Sequence, residues 1–145
     1  MRWTFKGIVS RSDARALVPD VELEYLKMGR DGYTKLYAWL TAEPRTPRER
    51  VNALTLLFLS RGWGDLNEFF ALCLRYLGDA DVPVRSTAAR FVVALLTLRA
   101  EVPVLTGSEV ANAVSALRAA LSSGLDRVST AQAERFLTMQ PADSG

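Results

Sequence analysis

Any catalysis by this chain would have to run without histidine, because its 145 residues contain none. That removes imidazole acid–base chemistry and the usual imidazole metal sites. A single cysteine, Cys73, excludes an internal disulfide and any cysteine cluster. It lies in Phe69-Phe70-Ala71-Leu72-Cys73-Leu74 and reads as a core thiol, since a free cysteine packs as a small hydrophobe. Three further groupings could carry chemistry. Gly62-Trp63-Gly64 has a glycine pair but follows a helical pattern and lacks the spacing and lysine of a phosphate loop, so it reads as a helix end with a packed tryptophan. Asp79 and Asp81 are paired carboxylates in a turn, where capping and contact with Arg85 account for them. Asp20, Glu22 and Glu24 form an acidic run that would need more oxygen ligands to hold a cation. None of these is a catalytic set, and the chain is expected to be non-enzymatic, with no cofactor and no metal.

The bulk composition agrees with a packed protein. Hydrophobic residues make up 49% and charged residues 23%, enough to bury a core. Eighteen basic residues against sixteen acidic ones give +2, too balanced to demand nucleic acid or acidic lipid as a partner. All basic residues but Lys6, Lys27 and Lys35 are arginine, the bias of a GC-rich bacterial genome. The first residues carry no apolar run of a signal peptide, and the longest apolar stretches, 54–59 and 91–96, fall far short of the roughly 20 residues of a membrane span. A cytoplasmic location is the expectation.

Helical periodicity begins after an extended arm at 1–11. Leu17, Val21, Tyr25 and Met28 share one helical face, closed by Gly29. Asp31 is the expected N-cap of a helix with Tyr33, Leu36, Tyr37 and Leu40. Thr46-Pro47-Arg48-Glu49 is a capping box with proline at the first helical position, and it opens a helix through Val51, Leu54 and Phe58. Asp65 opens a stripe of Leu66, Phe69, Phe70, Cys73 and Leu77. Asp81 opens a long helix through Val84, Ala88, Phe91, Leu95 and Leu98. Thr106-Gly107-Ser108-Glu109 is another box, before Val110, Ala113, Val114, Leu117 and Leu121. Asp126 opens a last helix whose apolar positions are Val128, Phe136 and Met139. The reading is all-α, one domain over 1–140 with a frayed tail at 141–145.

The helices fall into pairs, 32–42 with 47–60, 66–78 with 82–99, and 107–122 with 127–139. In the middle pair, Asp79 precedes Arg85 by six residues, Val84 precedes that arginine, and Ala88 and Ala89 follow. This spacing resembles HEAT-like helical repeats, over residues 32–139 and most specifically in the middle pair. The first pair keeps Arg50 and Ala53 but has Pro44 in the aspartate's place; the third keeps Asp126-Arg127 and Ala131 with shifted spacing. The resemblance implies a short α-solenoid of about three pairs, with the N-terminal helix and arm added, whose second helices line a concave groove. A plain helical bundle is the other arrangement these helices allow.

On the second helices the polar positions are Arg48, Asn52 and Thr55, then Ser86, Arg90 and Thr97, then Arg127 and Glu134. These eight are the expected protein-binding groove. Arg50 and Arg85 sit beside apolar residues and are expected to bond turn carbonyls or acids inside the structure. The resemblance implies a binding module for one protein partner, of the kind of a bacterial adaptor or a toxin-neutralising immunity protein, with self-association left open. Nucleic-acid backbone binding through Arg48, Arg90 and Arg127 is the second reading, in which binding would fall with salt.

Overall fold

Polar side chains that satisfy the free N–H groups of a first turn fix where the helices of this chain begin. In the computed structural model, residues 25–42, 44–97 and 105–139 are described. The arm at 1–11, the face that includes Leu17 and Val21, the acidic run at 20–24, Leu98 and the tail at 141–145 lie outside them. The described residues are helical, with no strand among them. They form α1 (Gly29–Ala42), α2 (Pro47–Leu59), a 3-10 turn (Arg61–Trp63), α3 (Leu66–Tyr76), α4 (Val82–Thr97), α5 (Gly107–Ser123) and α6 (Arg127–Met139).

Both threonine boxes close as read. Thr46 Oγ1 accepts from the Glu49 N–H while a Glu49 carboxylate oxygen accepts from the Thr46 N–H, and Thr106 and Glu109 do the same. Asp65, Asp81 and Asp126 each accept an N–H of the first turn that follows. Such caps are worth about 1 kcal/mol each. Asp31 departs from expectation. Helix α1 already starts at Gly29, so Asp31 lies inside its first turn and pairs with Lys35 at 3.0 Å. There its charge favours the helix dipole without capping it.

The chain divides into two compact units, Met1–Phe69 and Phe70–Gly145, so the boundary falls within α3. In the first, α1 lies against α2 and against the 3-10 turn. Its core holds Tyr25, Tyr33, Leu36, Leu40, Leu54, Leu57 and Phe69. In the second, α4 lies against both α5 and α6, and α5 against α6. Phe70, Cys73, Val84, Ala88, Val92, Leu95, Ala113 and Leu117 fill that core.

Two buried ionisable groups give direct tests of this packing. Tyr25 donates to Ser60 Oγ at 2.9 Å, and Ser60 in turn donates to the Leu56 carbonyl at 2.8 Å. Burial outweighs the bond to Ser60 and pushes the phenol up to about 12. A free tyrosine ionises near 10. The folded state therefore keeps a proton that the unfolded state gives up. This contribution to stability is whole below pH 10 and is lost as pH rises from about 10 to about 12. Alkaline unfolding of Tyr25→Phe should lack that component, whereas a parallel loss in both proteins would place Tyr25 in solvent. Cys73 is fully buried and desolvation pushes its thiol up, away from the reactive thiolate. Labelling of Cys73 by a thiol reagent should run at the rate of opening of the fold; labelling at the rate of an unstructured peptide would contradict its burial.

Candidate functional site

The middle helix pair shows how a long side chain is committed to structure. Arg85 is 8% exposed. Its Nε donates to the Gly124 carbonyl at 3.1 Å and Nη2 to the carbonyls of Ser123 and Gly124 at 3.2 and 2.8 Å. Nη1 donates to the carbonyls of Asp79 and Ala80 at 2.9 and 3.1 Å. The guanidinium thus ties the turn before α4 to the C-terminus of α5, where the helix dipole favours a cation. The expected carboxylate partners are not used, because both are engaged as caps: Asp79 Oδ1 accepts from the Asp81 N–H and Asp81 Oδ2 from the Val84 N–H. Gly124 turns its carbonyl inward at φ +110°, a conformation that L side chains rarely adopt. Arg50 acts alike on a smaller scale, donating to the Arg45 carbonyl.

The expected groove residues are not all at the surface. Asn52 is 3% exposed and Ser86 is fully buried. Asn52 stands about 40° from Leu56 on the helical wheel, inside the buried arc of α2. Ser86 Oγ accepts the Asp126 N–H at 2.8 Å, because the 124–126 turn crosses the first turns of α4. Both belong to the core and neither is available to a partner. Thr55 is half-buried and bonds the Val51 carbonyl. Arg48, Thr97, Arg127 and Glu134 are exposed and Arg90 is half-buried.

Two of the eight, Arg90 and Thr97, line a cleft of about 510 Å³ between α4 and α6. Val93, Ala94 and Leu96 form its α4 wall; Gln132, Arg135, Phe136 and Met139 form its α6 wall. The sequence reading named Val128, Phe136 and Met139 as the apolar positions of this helix and did not place them at a cleft. Helix α6 instead buries its small residues, Ser129 and Ala133. Val128 is 60% and Met139 72% exposed, and Phe136 is half-buried at the cleft. Small residues let α6 approach α4 closely, and the large ones are then displaced to the rim. The signal was present: Gln132, Arg135, Phe136 and Met139 recur at i, i+3, i+4, i+7, one helical stripe with an arginine in it.

Electrostatically the cleft is cationic over an apolar floor. Arg90 Nη2 donates to Thr87 Oγ1 at 3.4 Å, and its Nε is shielded from solvent with no acceptor among the described residues. No carboxylate among the described residues pairs with Arg135. Guanidinium groups at the edge of an apolar wall, without a carboxylate of their own, are positions that a partner's carboxylates would satisfy. No protein-family model matches the chain, and no curated protein or solved structure matches it. Among the described residues no group of three metal-ligating side chains comes together, and no helix is long and apolar enough to cross a membrane.

Proposed function

We propose that the chain is a non-enzymatic protein-binding module, built as a short HEAT-like solenoid, whose α4–α6 cleft takes an acidic amphipathic helix of one partner. The observation that carries this reading is a pair of arginines, Arg90 and Arg135, that no carboxylate among the described residues neutralises, beside an apolar wall of Val93, Leu96, Phe136 and Met139. Apolar side chains spaced i, i+4, i+7 on the incoming helix would fill the floor, and flanking carboxylates would meet Arg90 and Arg135. Met139 suits such a role, since its flexible thioether adapts to the shape of what it meets. An adaptor or a toxin-neutralising inhibitor would both use a surface of this kind. An apolar floor with two arginines fits a protein helix better than a phosphate backbone, which would want an unbroken cationic track.

A photo-crosslinking residue at Thr97, introduced in the cells that make the protein, should trap one protein. The same residue at the exposed Ala111 of α5 should trap none. The partner's crosslinked segment should be helical and acidic. Trapping at both positions alike, or of nucleic acid at Thr97, would overturn the assignment.

A further inference from the structure

A second cleft, of about 430 Å³, lies in the first unit and is built from α1 and the turn between α2 and α3. Tyr33, Tyr37 and Trp63 line it together with Arg30, Asp65 and Glu68. Its size falls within the range of small-molecule sites, roughly 300–1,000 Å³. The aromatic wall is enforced by close packing. Tyr33 sits against Gly64, where any Cβ would overlap the ring, so only glycine at 64 admits Tyr33 at this depth. Tyr37 stacks beside Tyr33 with ring centroids 6.3 Å apart and planes 23° apart. Trp63 lies over the backbone at Gly29 and is still 51% exposed, although its glycine-flanked position suggested a packed ring.

Ring faces carry negative charge density, and cations of low hydration energy are attracted to them. The ionised groups around the cleft add to this field, two carboxylates against one guanidinium. Asp65 spends Oδ1 on the N–H groups of Asn67 and Glu68, and the Glu68 carboxylate has no partner among the described residues. A compact ammonium would lose too much hydration on leaving water, whereas a methylated one loses little and offers its methyl groups to the rings. We propose that this cleft binds a methylated ammonium group, with Trp63 and Tyr37 on its methyl groups and Glu68 on its charge. The site is independent of the α4–α6 cleft, and the fate of either assignment leaves the other standing.

The test is a titration of the full chain with choline and with a peptide bearing trimethyl-lysine, followed by calorimetry and by the NMR signal of the N-methyl protons. Saturable binding is expected, with those protons shifted upfield by the ring faces. The neutral isostere 3,3-dimethylbutan-1-ol should bind at least about tenfold more weakly. Trp63→Ala should weaken binding about tenfold and Glu68→Gln a few fold, with melting unchanged, since both side chains are exposed. A peptide preferred over choline would identify a modified protein as the source, and the reverse a small molecule. Equal binding of the neutral isostere, undiminished binding by Trp63→Ala, or no saturable binding of either cation would overturn the proposal.

Discussion

Arg85→Ala is expected to destabilise the protein by about 3 kcal/mol, a melting loss of roughly 10 °C for a chain of this length. The guanidinium donates to four carbonyls, from Asp79, Ala80, Ser123 and Gly124, and alanine leaves all of them without that donor in a site of 8% exposure. Each orphaned buried acceptor costs on the order of 1 kcal/mol or more, and part of that cost is relieved if water enters. Arg85→Lys should recover only a fraction, because a single ammonium cannot span turns at both ends of the fork. Arg90→Ala provides the contrast. Its one bond, to Thr87, is long at 3.4 Å, and removing a guanidinium with an unsatisfied Nε should cost less than about 1 kcal/mol. Equal melting losses for the two alanine variants would mean that the network around Gly124 does not hold α4 to α5.

The second large effect concerns binding. Arg90→Glu with Arg135→Glu should lower affinity for the captured partner about a hundredfold, near 3 kcal/mol, and leave melting within a few degrees of the wild type. Reversing two cleft charges replaces attraction to the partner's carboxylates with repulsion. Neither arginine supports the core, as Arg135 is exposed and Arg90 only half-buried. Arg48→Glu, an exposed arginine on α2 of the other unit, serves as the comparison outside the cleft. If Arg48→Glu weakens binding as much as the cleft pair does, the binding surface extends over the wider set of polar positions first expected from the sequence.

Local rules made most of the helices legible. A threonine followed three residues later by glutamate, as at Thr46 and Thr106, specifies its own hydrogen bonds, and the structure forms them. The apolar stripes through Leu36 and Leu40, Phe69 and Cys73, and Ala113 and Leu117 are buried because period alone decides which face is apolar. The burial of Arg85 and its bonding to turn carbonyls were also legible from its place beside Val84, although the turn at Ser123 and Gly124 that supplies two of them was not. Distant chain segments account for the rest. Ser86 looked like a surface residue because nothing near it in sequence shows that the Asp126 backbone, 40 residues on, reaches its hydroxyl. In helix α6 the apolar positions were legible but their burial was not, since close approach to α4 selects small side chains at the contact and leaves Val128 and Met139 outside. The α4–α6 cleft is a by-product of that choice, so periodicity identified Phe136 and Met139 as apolar without showing what surrounds them.

The most direct test of the central claim is an amide chemical-shift map of the full isotope-labelled chain, recorded with and without the crosslinked segment of the partner as a synthetic peptide. Binding in the α4–α6 cleft predicts the largest shifts at Arg90, Val93, Thr97, Gln132, Arg135, Phe136 and Met139. Shifts confined to α1, α2 and the 3-10 turn would contradict it.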